Sequence, residues 1–423
     1  LSGTEMRVSG IALGEEIVAL DFDIINEPIP FSEMGDENPN LGEQRTAVFL
    51  VNSFENPIEP MTVEEVEEAF FSNNVNSVHP WIFNVSYEKA WLTGDVFGWY
   101  TLELTEEEIC GANINNQVVM EAIDPDVYFP NYTRLIFVIP PSSGCGFGGV
   151  ASVGWPEEPF VSPEDGEFFA TWISLNVVFS PNNFHVVAVH ELGHNFGLYH
   201  ANKWICSEGV IEGYCYSLAY YDWWDVMGLG NGRHYSAIRK HEIGWLDDQN
   251  ILIIPVGGSG IFMIEPLETN PEGIKGIQLT TPSGIPYSIE FRRPIDYDYN
   301  PHPWLSDLYD GALIRMQFDA ETGNSHILDF TPGDDLSISN DTLKKGETFF
   351  DVENDIVISV LDVSDEYLEV GVGPAFSCGD GIIDVWEDCE GSDLNGNTCA
   401  SIGFKEGDLS CAMDCSFNIS LCG

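Results

Sequence analysis

The sequence predicts a mixed α/β (α+β) domain with a twisted sheet and one site-bearing helix, followed by an all-β sandwich-like domain and a small disulfide-rich module. Three observations predict it. Strand-like and helix-like stretches alternate up to about residue 250; helical periodicity then disappears while short apolar runs recur between turn residues; and six of the ten cysteines crowd the last 46 residues. A chain of 423 residues is too long for one ordinary core, and a prior of one domain per ~150 residues suggests two to four units.

The elements follow in order. Residues 1–44 read as short alternating stretches, MRVSGIAL and EEIVALDFDII, and then a connector rich in Pro, Gly and Asn. The mixed domain, 45–250, opens with TAVFLVNSF as a buried strand. TVEEVEEAFFS has helical spacing behind an N-capping Thr62, KAWLTGDVFGWYTL reads as a long alternating strand, and a second helical stretch near EEEICGANINNQVVMEAI leads into the strand TRLIFVIP. GGVASVGW (148–155) and FATWISLNVV (169–178) are two further strand candidates. Over 251–375 the runs ILIIPV, GIFMIEPL, GIQLTT, YSIEFR, ALIRMQF and IVISVLDV predict the all-β domain. The module 376–423 is too short for a large core, so disulfides are expected to staple it.

Charge and cysteine usage narrow the function classes. There are 69 acidic and 15 basic side chains, a formal net charge of −54, which argues against a nucleic-acid partner because phosphate binding needs Lys and Arg. An acidic coat keeps a protein soluble, suits salty surroundings and attracts divalent cations. No run of 18 apolar residues predicts a membrane span. The cysteines divide into four in the first half (Cys110, Cys145, Cys206, Cys215) and six near the end, both even counts without paired CxxC spacing, so disulfides in an oxidising, extracellular compartment are expected. Sequons at Asn84, Asn131, Asn340 and Asn418 fit an exported glycoprotein. The chain begins at Leu1 without Met or an apolar leader, and a targeting segment, with or without a propeptide, is expected to have been removed or omitted.

The chemistry concentrates in HELGHNFGLYH, residues 190–200. Residues four apart share a helix face, so His190 and His194 can present imidazoles to one point, the arrangement of two zinc ligands. Glu191, next to the first, can act as general base toward water at the metal. Gly197 tolerates the positive φ that lets the chain leave the helix sharply and deliver His200 as a third ligand. HExxH alone is a weak signal; HExxHxxGxxH is far more specific, because packing histidines do not explain Glu191, Gly197 and His200 together.

These residues resemble the metzincin zinc metallopeptidases, and the resemblance implies a methionine turn beneath the metal. Asp225-Val226-Met227-Gly228 supplies one, with Met227 27 residues after His200. Within the metzincins the chain is most similar to the gametolysin-like family, on HELGHNFGLYHA, DVMG and YSAIRKHEIGWL, and more loosely on TAVFLVNSF through SVHPWIFNVSYEKAWLTGDVFGWYTL and on LDFTPGDDLSISNDTLKKGETFFD. The implied activity is a secreted zinc endopeptidase acting on extracellular or cell-wall proteins. Ala201 stands where adamalysin-like enzymes carry Asp and no SxMxY turn is present, so Tyr235 is only a candidate oxyanion stabiliser; ordinary packing is the alternative for Tyr235 and for His234. The implied fold makes GGVASVGW an edge strand for substrate pairing, with an interior strand as the alternative. Cys206 and Cys215, nine residues apart, are placed to pin the loop toward Met227, and Cys110 would pair with Cys145 by elimination.

The tail resembles a Cys-rich repeat of exported microbial proteins and is a candidate for cell-surface or matrix attachment. Its Asp380, Asp384, Glu387 and Asp388 crowd a turn and are candidate calcium ligands, although the spacing is not that of an EF-hand; Asp334-Asp335 with Asp341 form a second acidic turn. Two other readings compete with the peptidase. One is an adhesin on a peptidase-like scaffold, distinguished by zinc retention without turnover. The other is a different metzincin branch such as the pappalysins, distinguished by the chain course around Met227.

Overall fold

The computed structural model describes residues 5–13, 16–26, 38–111, 115, 117–141, 145–176, 184–230, 232–299, 309–317, 323–331, 341–375, 383, 387–412 and 415–423. The protein is mixed α/β with strands predominating, and its contacts divide into two compact units: Leu1–Tyr199 with Ile243–Trp245, and His200–Glu242 with Leu246–Gly423. Among the described residues no helix is long and apolar enough to cross a membrane.

The first unit begins with an antiparallel pair, β1 (Glu5–Leu13) and β2 (Glu16–Asn26). Its centre is β3 (Gly42–Ser53), whose Ala47–Val51 run is fully buried on both faces, as a strand between parallel neighbours should be. Helix α1 (Val63–Phe71) starts at Thr62 with the expected reciprocal cap, Thr62 accepting from the Glu65 N–H and Glu65 from the Thr62 N–H. Helix α2 (Val78–Val85) follows, then β4 (Ala90–Leu102), α3 (Gln117–Ile123), β5 (Arg134–Ile139), β6 (Gly149–Ala151), the hairpin β7 (Phe160–Ser162) and β8 (Gly166–Phe168), β9 (Thr171–Asn176) and α4 (Phe184–Asn195).

The sheet order is β4-β3-β5-β9-β6, parallel except for the antiparallel β6, which lies at the edge. Of the two placements open to GGVASVGW the structure thus has the edge one, with only three residues paired. On one face Phe49 stacks on Phe137 (centroids 5.3 Å apart) and Phe97 (5.6 Å), above Val119, Met120 and Ile123 of α3. The stretch EEEICGANINNQVVMEAI is not one helix: a single 3-10 turn at Glu108–Gly111 precedes α3.

The second unit contains β10 (Ala201–Cys206), β11 (Cys215–Leu218), α5 (Ala237–Glu242), β12 (Ile251–Ile254), β13 (Gly260–Ile264), β14 (Gly276–Leu279), β15 (Tyr287–Glu290), β16 (Gly311–Met316), β17 (Ser325–Leu328), β18 (Thr342–Lys344), β19 (Thr348–Asp351), β20 (Ile356–Val363) and β21 (Leu368–Gly373). Eight strands form a mixed sheet in the order β11-β10-β17-β16-β15-β14-β12, with β18 also pairing β16; β13-β21-β20-β19 form an antiparallel sheet. Residues of both sheets, such as Ile289, Ile314, Ile358 and Val370, share one apolar core. All six apolar runs read after residue 250 contribute strands. The segment 200–242, which the sequence placed with the mixed domain, joins this sheet instead through β10 beside β17.

Four disulfides have both partners described: Cys110–Cys145, Cys206–Cys215, Cys389–Cys411 and Cys399–Cys422. The first two are the pairs expected from the sequence. Among the described residues of the tail, β22 (Ser410–Cys411) and β23 (Phe417–Asn418) form a small antiparallel pair.

Candidate metal centre

Helix α4 carries His190, Glu191 and His194, the two histidines one turn apart with imidazole centroids 5.1 Å from each other. The helix stops as the sequence predicts. Gly197 has φ +103°, its N–H donates to the His194 carbonyl (2.8 Å), and the Leu198 N–H reaches back to Gly193 (2.9 Å), a Schellman closure that a Cβ at 197 would strain. The closure turns the chain within three residues toward His200. His190, His194 and His200 each offer a ring nitrogen, and the three nitrogens lie within 4.8 Å of one another.

The same turn sets a tautomer. The Leu198 carbonyl can only accept, so His194 donates to it from Nδ1 (2.7 Å), leaving the Nε2 lone pair for a metal. Burial, reinforced by the neighbouring His190, pulls the His194 pKa down to about 4 against the opposing effect of that hydrogen bond. The imidazole is therefore neutral at pH 7, the form that ligates. Glu191 is 5% exposed, and burial pushes its carboxyl up to about 8. Three imidazole nitrogens beside a buried carboxyl are a donor set that fits a divalent zinc ion with an open position, and a bound dication would draw the Glu191 pKa back down.

The edge strand makes room for Glu191. A Cβ on Gly149 would lie 2.6 Å from Glu191 Cγ and Oε1, so only glycine lets β6 pass this close to the carboxylate. Neutral hydrogen bonds hold the helix end to the sheet edge. Asn195 donates through Nδ2 to the carbonyls of Ser152 (2.9 Å) and Trp172 (3.1 Å) and accepts from Thr171 Oγ1 (2.8 Å), while the Gly154 N–H donates to the His194 carbonyl (2.8 Å). Arg134 donates to Thr171 Oγ1 and, through Nε and Nη2, to Gln44 Oε1, with its guanidinium 4.4 Å from the Phe196 ring centroid.

In the second unit, the Met227 turn is built by Asp225, whose carboxylate accepts from the N–H groups of Met227 (2.9 Å) and Ser236 (2.8 Å). Met227 is fully buried, and its carbonyl accepts from the N–H of Ala201, the residue after His200 (3.0 Å). A Cβ on Gly228 would strike the carbonyls of Asp222, Ala201 and Tyr220, so DVMG needs its glycine. The His200 ring rests on Tyr220, centroids 4.2 Å apart. Tyr220 holds φ +65° while its N–H donates to Asn202 Oδ1 (2.9 Å).

Other candidates take different places. Tyr235 is fully buried, with its carbonyl accepting from Arg292, and His234 is buried with Nδ1 accepting from Lys240 Nζ at 2.8 Å. Asp380 and Asp384 lie outside the described residues, as do Asp334 and Asp335. Asp388 accepts from the Phe417 N–H; Glu387 lies near Glu390 and Cys415, whose sulfur is disulfide-bonded and so is no thiolate donor. Asp341 faces Lys203 Nζ at 2.8 Å, where a cation already stands. Sequence reasoning missed Gly149, Asn195 and Tyr220; the doubled glycine of GGVASVGW was the one available signal for the first.

Searches against family models and curated proteins returned no match to this chain.

Proposed function

We propose that the protein is a secreted zinc-dependent endopeptidase, with His190, His194 and His200 as metal ligands and Glu191 as general base. The observation that carries this reading is the convergence of three histidine nitrogens within 4.8 Å beside a buried glutamate next in sequence to the first of them. The disulfides of the described residues support an oxidising compartment.

A zinc ion held there supplies Lewis acidity, lowers the pKa of water toward ~7 and polarises a scissile carbonyl. The chain's own residues do the rest. His194, locked by Leu198, keeps its lone pair free at Nε2. Glu191, drawn back toward the carboxylate by a bound dication, takes a proton from the attacking water and returns it to the departing amine nitrogen. The strand β6, at the sheet edge among the described residues and passing beside Glu191, can pair with an extended peptide backbone, so that recognition would depend more on main chain than on side chains.

The test compares native protein with Glu191→Gln on a broad peptide mixture read by mass spectrometry, with zinc measured in both samples. The expected result is about one zinc in each and a loss of ~10²–10⁴ in cleavage rate for the variant. Zinc retained without any cleavage by the native protein would favour an adhesin, and no zinc after supplementation would sink the reading.

A further inference from the structure

Away from the histidines, the second unit holds a cavity of about 480 Å³ that the metal-site reading does not use. Its walls are Val210 and Ile211 from the loop after β10, Phe330, Leu343 of β18, and Phe349 and Phe350 of β19. The volume lies within the ~300–1,000 Å³ of ordinary ligand pockets. Phe330 and Phe349 meet edge to face at 5.9 Å, and Phe350 remains 53% exposed, an apolar ring that folding leaves without cover.

Two features indicate what would fill it. The first is rigidity. The 207–214 loop is tied at its base by Cys206–Cys215 and internally by Ser207 N–H to the Tyr214 carbonyl and Tyr214 N–H to Ser207 Oγ (3.0 Å), so this wall exists before anything binds. The second is charge. Among the described residues that line it, the charged ones are Glu212 and Glu347, and none is cationic. Glu347 is held in place by the Lys344 N–H, and the Glu212 side chain folds back over Gly209.

We propose that this cavity binds a peptide segment presenting a bulky apolar side chain flanked by lysine or arginine. The apolar group fills the aromatic walls, and the flanking cations meet Glu212 and Glu347. The net charge of −54 favours approach of such a segment over an acidic one. This inference does not rest on the peptidase reading.

The experiment is titration calorimetry on the full chain carrying Glu191→Gln, so that no probe is consumed. The probes are the acetylated, amidated tetrapeptides Arg-Leu-Phe-Arg, Arg-Ser-Ser-Arg and Glu-Leu-Phe-Glu. The expected result is one-site binding of the first alone, weakened roughly tenfold when Glu212→Gln and Glu347→Gln are combined and abolished by the cavity-filling Ile211→Trp. The paired glutamine changes are at the surface and leave the fold intact, so they decide the matter even where the tryptophan variant misfolds. Equal binding of Arg-Ser-Ser-Arg would reduce the effect to bulk charge, and equal binding of Glu-Leu-Phe-Glu would remove the glutamates from it. Binding unchanged by the variants, or absent, would overturn the proposal.

Discussion

Two buried glutamates of this chain are pushed in opposite directions by their surroundings. Glu191, in the first unit, sits among neutral groups, and burial alone raises its carboxyl to about 8. Glu290, in the second, is equally buried and burial pushes it up too, but Arg292, Arg315 and the Ala237 N–H outweigh that and hold it below the usual carboxylate range. A buried carboxyl without a cation is poised to exchange a proton at neutral pH, whereas one between guanidiniums is a fixed anion. The first carboxyl is left open to protonation and the second is held as an anion that keeps a loop in place.

That loop is the methionine turn. Arg315 binds Asp222 (Nε to Oδ2, 2.6 Å) and Glu290 (Nη1 to Oε1, 2.8 Å); Arg292 binds Glu290 (2.9 Å) and Asp298 (2.5 Å). Trp224 packs with Leu313 and Ile327 on the same face. The segment Asp222–Met227 is therefore fastened to the back of β15 and β16 by ion pairs shielded from water. Breaking the network is expected to give the largest effect: Arg315→Met strands two buried anions and should cost about 3–5 kcal/mol in urea unfolding. Glu191→Gln, which removes a buried acid that no cation among the described residues is shown to hold, should not lower stability. If both variants unfold alike, the contrast between the regions fails.

A pH series sharpens the same contrast. Because the folded-state pKa of Glu290 lies below its unfolded value, its contribution is present above about pH 4.5 and is lost as pH falls through the folded-state pKa. The stability gap between native protein and Glu290→Gln should therefore stay level down to about pH 5 and narrow as the pH falls further. A gap that widens in acid would mean the guanidiniums do not outweigh burial.

In the first region the expected effect is on rate. Gly149→Ala places a methyl 2.6 Å from the Glu191 carboxylate, which must move. A displacement of about 1 Å at a reacting group can cost ~10²-fold, so cleavage should fall by that order while zinc content and melting temperature stay near native. Unchanged turnover would show that Glu191 has slack against β6.

The three histidines, Glu191 and Gly197 were legible because their arrangement is written into eleven consecutive residues; a helix period and one glycine turn suffice. Gly149 was not, since its need to be glycine comes from a helix 42 residues further on. Helix α2 was hidden by Pro80, which falls in the first turn where its missing N–H costs nothing. YSIEFR was legible as a strand, but nothing in its local pattern showed that Glu290 and Arg292 would be buried. They are buried because the loop bearing Trp224 covers the second face, a long-range fact that no local period encodes. For the same reason β10 gave no sign of its sheet, as its parallel register with β17 joins residues more than a hundred positions apart.

The smallest expected effect concerns the residue that stands between the two themes, a neutral ring resting on a metal-ligand candidate. Tyr220 keeps a left-handed backbone that few non-glycine residues adopt, and Asn202 bonds its N–H, so the ring is held against His200 rather than left to find its place. Outer partners of this kind typically tune metal affinity by 10–100-fold. Tyr220→Ala should weaken zinc binding, measured by competition with a chelator, by about tenfold, whereas Tyr220→Phe, which retains the ring, should bind as the native protein does. Equal loss in both variants would instead assign the role to the hydroxyl, and a pH profile of cleavage altered in Tyr220→Phe as well as in Tyr220→Ala would place that hydroxyl at the reacting atoms.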